Sequence, residues 1–157
     1  MKKLNLILIC GLIPFISNSQ TYNELMGIVN ETDFKRVMIE NDFQFDSNTD
    51  GVISYGLDME KDEDGLTRSL VWGGYGTESL IWQLQFADRK ISLYRFSEYS
   101  NITDNIKEKC IYVNIVDVKE IDFVVYKCDE SKFEGNIGFV IYKNVGVIRY
   151  FPNSISD

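Results

Sequence analysis

Histidine is absent from all 157 residues, proline occurs twice and cysteine three times. Without an imidazole the chain cannot hold a Ser-His-Asp or Cys-His constellation or a histidine-ligated metal, and it lacks the commonest general base at neutral pH. No Gly-x-Ser-x-Gly elbow, Ser-x-x-Lys pair or phosphate-binding loop occurs either. Positive charge is also scarce: 16 Lys and Arg stand against 24 Asp and Glu, and no basic run exceeds two residues. Such a surface repels phosphate backbones and anionic lipid, which disfavours nucleic acid and membrane surfaces as partners.

The longest apolar stretch, Leu4 to Ile16, is interrupted by Asn5, Gly11 and Pro14. At about 13 residues it is shorter than the ~20 that a bilayer core requires, so stable membrane insertion is not expected. It follows Lys2-Lys3 and precedes Ser17-Asn18-Ser19, a cationic start, apolar centre and small-residue cleavage site. Together these read as a secretory signal peptide over residues 1–19, with a single domain over 20–157. Removing those 19 residues and their two lysines leaves 138 residues with 14 bases and 24 acids, a net charge of about −10. The expected location is periplasmic or extracellular, where thiols oxidise.

Two cysteines then remain, Cys110 and Cys128. Ile111 to Asp117 and Ile121 to Lys127 are rich in β-branched and aromatic residues around a short link, the pattern of a hairpin. A register in which paired residue numbers sum to 238 sets Tyr112 opposite Tyr126, Val113 opposite Val125 and Ile115 opposite Phe123. It also aligns Cys110 with Cys128, which predicts a disulfide.

Elsewhere, Thr21-x-x-Glu24 is a capping box that opens a helix over about 22 to 41, with a break expected near Glu31 to Asp33. Strands are expected at Phe43 to Phe45, Val52 to Leu57, Leu66 to Trp72, Glu78 to Ala87 and Ile91 to Ser97. Turns are expected at Gly73 to Gly76 and Asp88 to Lys90. A second helix over Asn101 to Lys109 precedes the hairpin, and strands follow at Ile137 to Tyr142 and Val147 to Phe151. The fold class is therefore α+β, a largely antiparallel sheet with helices on one face and the outline of a duplicated helix-plus-four-strand unit. This element order, with no shared motif, resembles that of the beta-lactamase inhibitory protein family and of many small exported bacterial proteins. The resemblance is one of element order over residues 21–151, and element order alone carries no function.

Three segments carry candidate chemistry. Asp46-Ser-Asn48-Thr-Asp50-Gly51-Val-Ile53 resembles the start of a calcium loop, with oxygens at Asp46, Asn48 and Asp50. Its twelfth position is Leu57 where a bidentate Glu belongs, so the same residues also read as an Asx-rich turn between strands. No other cofactor is implied. Asp58, Glu60, Asp62, Glu63 and Asp64 form an acidic run suited either to a solvated loop or to steering a cationic partner. In Trp72-Gly73-Gly74-Tyr75-Gly76, a glycine-flexed turn would present Trp72 and Tyr75 as interface aromatics or fold Tyr75 back over the sheet. Three functions stay open: a binding module for a basic secreted or periplasmic protein, in the manner of an inhibitor or immunity protein; an accessory envelope protein with no dedicated site; and a carboxylate-dependent hydrolase, the one catalytic chemistry the composition leaves.

Overall fold

The structure, a computed structural model, describes residues 21–61, 67–88 and 90–153. The expected leader lies outside these residues, as do Asp62, Glu63 and Asp64 of the acidic run.

Helix α1 (Tyr22–Met26) forms behind the expected capping box: the Thr21 hydroxyl oxygen accepts from the Glu24 amide, and the Thr21 N–H donates to Glu24 Oε2 at 2.8 Å. It does not run on to residue 41. The chain leaves the helix at Gly27, and α2 (Glu31–Glu40) starts afresh behind Asn30, whose Oδ1 accepts the Asp33 amide at 3.0 Å. The break precedes its expected place because Asn30 serves better as an N-cap than inside a helix.

Strands β1 (Gln44–Thr49) and β2 (Val52–Leu57) pair across a two-residue turn in which Asp50 and Gly51 have φ of 53° and 73°. This is the geometry that Asp-Gly favours in a hairpin. The turn expected over the whole Asp46 segment is thus confined to its last two residues, and Asp46 to Thr49 are strand. A small ribbon of β3 (Glu60–Lys61) and β4 (Thr67–Arg68) stands apart from the main sheet.

Strand β5 (Val71–Gly76) overturns the expected turn at Gly73 to Gly76. Its glycines answer to packing. A Cβ on Gly73 would come within 2.7 Å of Met38 Sδ in α2, and one on Gly74 would collide with the Trp72 indole lying along its own strand. The chain turns later, between Gly76 and Ile81, before β6 (Trp82–Phe86).

Helix α3 (Leu93–Lys109) absorbs most of the strand expected at Ile91 to Ser97, with Ser92 as its N-cap. Phe96, Tyr99, Ile102, Thr103 and Ile106 line its buried side at helical spacing. Then come β7 (Ile111–Asp117), β8 (Asp122–Lys127), β9 (Gly135–Tyr142) and β10 (Val145–Pro152).

The disulfide joins Cys110 and Cys128, with Cα atoms 4.4 Å apart. Ile111 faces Lys127 and Tyr112 faces Tyr126 as expected. A register shift between Tyr112 and Asn114 then moves the rest by one residue, so Asn114 faces Val125 and Val116 faces Phe123. A bulge of this kind bends and twists an edge strand, and β7 is an edge.

The eight long strands form one antiparallel sheet in the order β1-β2-β5-β6-β10-β9-β8-β7. Its architecture is α+β, and its outline is that of two four-strand meanders, each preceded by a helix. Their last strands meet at a central seam, where β6 pairs with β10 from Phe86–Gly146 to Gln83–Arg149. The helices cover one face. Phe34 of α2 packs on Tyr75 at 5.5 Å, and Tyr99 of α3 packs on Phe86 at 5.8 Å. Tyr75, Trp82, Leu84, Phe86 and Ile148 share that face through their register and are almost wholly buried, each contributing roughly 2 kcal/mol relative to exposure.

Candidate functional site: two clefts on the uncovered sheet face

Alternation along the strands sends the next set of side chains to the other face. On β5 and β6 these are Trp72, Gln83 and Gln85, and on β10 they are Val145, Val147, Arg149 and Phe151. None of the described helices lies over them. At the β8 end the face protects itself with a second apolar cluster of Phe123, Val125, Val147 and Phe151. At the seam it stays hollow. Two clefts, of about 710 and 390 Å³, adjoin there and share Gln85 and Val145.

The larger cleft is acidic and aromatic. Asp58 and Glu60 of the expected acidic run and Asp88 of the expected turn after β6 stand with Arg68 around half-buried Trp72. Asp58 is already engaged: with φ of 52° it ends β2, and its Oδ2 accepts from Arg95 Nε at 3.2 Å. The other arm of the guanidinium donates to Glu98 Oε1 at 2.7 Å. Burial alone would lower Arg95, but its hydrogen bonds to Asp58 and Glu98 outweigh that and hold it above its ordinary range. Glu98 is also raised, because burial outweighs its bond to Arg95. The two directions are consistent: Arg95 is shared by two carboxylates, whereas Glu98 is deeper, at 7% side-chain exposure against 12%, and has one cation. This triad ties the first turns of α3 to the end of β2, and of its members Asp58 lines the cleft.

Tyr75 lies elsewhere. It is 2% exposed on the helix face, so the core takes up a ring expected at a turn, and Trp72 alone of the pair reaches the cleft. The calcium-like oxygens have separate local roles. Asp46 accepts from Ser54 Oγ at 3.0 Å, Asn48 pairs with Ile53 in the ladder, and Asp50 sits in the turn. Among the described residues no group of three or more His, Cys, Asp or Glu side chains is placed to hold a metal ion.

The smaller cleft has the opposite sign. Arg149 lies at its base beside Gln83 and Gln85, and Lys119 and Lys143 stand at its mouth; none of its lining side chains is acidic. Arg149 donates to Gln83 Oε1 at 3.3 Å and lies over the Phe151 ring at 5.6 Å, with no carboxylate against it among the described residues. Its Nε is one of two buried side-chain nitrogens without a partner among the described residues, the other being Trp82 Nε1. Burial pulls Arg149 below its ordinary value.

Sequence reading missed this second cleft. One signal was available, a lone charge in the apolar run Val145 to Phe151. Nothing in the chain order, however, announces that Gln83 will stand across a seam from Arg149. The chain matches no known protein-family profile, no curated protein and no solved structure.

Proposed function

We propose that this chain is an exported, acidic binding module that takes a basic secreted or periplasmic protein on its uncovered sheet face, in the manner of an inhibitor or immunity protein. The observation that carries the reading is the larger cleft. A half-buried indole stands there among three acids, Asp58, Glu60 and Asp88, and one cation, Arg68, an excess of negative charge complementary to an inserted Arg or Lys side chain. A cation over an indole face gains about 0.5–2 kcal/mol, more as water leaves, and the surrounding carboxylates steer its approach. The glycine beneath the indole holds it flat along the strand, where it presents its face at little entropic cost. A disulfide-pinned, single-sheet scaffold suits a rigid docking surface exposed to an oxidising compartment.

The test exploits the difference between the two tryptophans. Trp82 is 1% exposed, so a change in emission on adding an acetylated Gly-Arg-Gly-Arg-Gly amide reports on Trp72. The expected result is a saturable change that weakens with salt and vanishes in Trp72→Ala. That variant should also lose basic proteins retained by the immobilised chain from envelope and culture fluid. A flat titration, or identical retention by the variant, removes the reading.

A further inference from the structure

We infer that the smaller cleft is a binding site for a carboxylate carried on an apolar body. The inference is independent of the basic-protein reading of the larger cleft.

Four observations converge on it. First, the charge in the cleft runs against that of the molecule. A chain with 24 acids and 16 bases places three cations and no acid around this hollow. Secondly, the deepest cation is unsatisfied. Arg149 has one long hydrogen bond, from Nη1 to a neutral amide, a buried Nε with no partner and no carboxylate against it among the described residues, so its charge is uncompensated and suits a two-oxygen acceptor. Gln83 and Gln85 add amide donors beside it. Thirdly, the rest of the wall is apolar: Ile121, Phe123, Val145 and Val147 favour a hydrocarbon body over inorganic phosphate or sulfate. The volume of about 390 Å³ is that of a small-molecule site.

The fourth observation is the backbone at the cleft's mouth. Lys119 and Lys143 both occupy the left-handed region, with φ of 53° and 48°, in the two-residue turns of the β7–β8 and β9–β10 hairpins. Asn, Asp and Gly are the residues such turns prefer. Two turns on neighbouring hairpins carry lysine there instead, and both lysines face the same hollow. Local strain retained at two positions that converge on one cleft is the pattern of a site held in place by the surrounding fold. Neither lysine has a carboxylate partner among the described ion pairs.

Two sources share this chemistry, a short fatty acid and the free C-terminus of a peptide ending in an apolar residue. Octanoate, and an acetylated tripeptide ending in Val-Phe as the free acid, serve as the two probes in isothermal titration calorimetry on the mature, disulfide-bonded chain. Octan-1-ol and the peptide amide are their uncharged controls. At least one acid should bind saturably and about tenfold or more tightly than its control, which is the discrimination expected of one charge-assisted fork. Whichever acid binds identifies the source. Arg149→Gln should weaken binding at least about tenfold. Because Arg149 is partly buried, the paired substitution Lys119→Asn with Lys143→Asn provides a second readout at exposed turns, with an expected loss of about threefold or more. Trp72→Ala should leave acid binding unchanged, so failure here and failure of the basic-protein reading are told apart. The inference is overturned if neither acid saturates by about 10 mM, if acid and control bind alike, or if the double lysine variant binds as the parent does.

Discussion

Opening the Cys110–Cys128 bridge should lower stability by an amount the structure allows to be worked out. The bridge closes a loop of sequence separation 18. For a loop of that size the lost freedom of the unfolded chain amounts to about 3 kcal/mol at 25 °C. The native geometry should survive the loss, because Ile111–Lys127 and Tyr112–Tyr126 pairing holds the two ends together without the sulfurs. Packing contributes separately: Cys128 is 3% exposed, and the Tyr22 hydroxyl lies 3.4 Å from the Cys110 sulfur. Comparison of thiol-reduced parent with Cys110→Ala/Cys128→Ala separates the two effects, since only the variant loses the sulfur atoms. With a urea slope of about 2 kcal/mol/M for a chain of this size, reduction should move the unfolding midpoint down by about 1.5 M. The assay is urea unfolding followed by circular dichroism, with the slope fitted independently in each redox state. A downward shift below about 0.5 M with an unchanged slope would refute the loop-entropy reasoning, and would mean that the reduced unfolded chain is already held compact.

Other expected outcomes are more local. Replacing Lys143-Asn144 by Asn-Gly relieves two positive φ angles of 48° and 68°; it should add about 1 kcal/mol and raise the melting temperature by about 2–4 °C, read by calorimetry. If the lysines serve the cleft, the same change weakens octanoate. Burial raises Glu98 above 4.5 despite Arg95, so the folded chain holds that proton more tightly than the unfolded one. Stability tied to the proton is present in full below 4.5 and lost as pH rises through the folded-state value, a slope that Glu98→Gln should flatten in denaturation curves taken across that window. Calcium at about 1 mM should leave the melting temperature unchanged, because a ligand stabilises only in proportion to its occupancy of the folded state and the Asp46 carboxylate is held by Ser54 while Asn48 sits in the strand ladder. A rise of several degrees would contradict that placement.

The sequence revealed what depends on near neighbours. The capping box at Thr21, the alternation of Trp82, Leu84 and Phe86, and the Tyr112–Tyr126 register with its adjoining disulfide are all settled within a few residues or across one hairpin. Errors arose where distant parts decide. Glycines at 73 and 74 read as a turn because a helix and an indole that must approach the backbone closely leave no local trace. Ile91 to Ser97 read as strand because its short apolar alternation fits both periods, and the helical one shows only when Phe96 is followed to Tyr99, Ile102 and Ile106. One inserted residue near Val113 shifted half a hairpin. Of the sites, Asp58, Glu60 and Trp72 were chosen for their residue type and do meet, although their neighbour Asp88 comes from across β5 and β6. The Arg149 cleft depends on the seam, and a seam between the last strands of two units is a long-range pairing that no local pattern encodes.

That seam also dictates an order of events. β6 has its full set of neighbours only when β10, which begins 59 residues after β6 ends, is in place. A chain emerging from its N-terminus would complete its first meander and then wait, with the inner edge of β6 open and its backbone donors and acceptors unpaired. Two such half-made molecules offer each other the same antiparallel edge that β10 is built to fill. A fragment ending near residue 90 should therefore dimerise or aggregate through β6, and adding the second half in trans should compete with it. In the folded chain that edge is filled by β10, eight residues long.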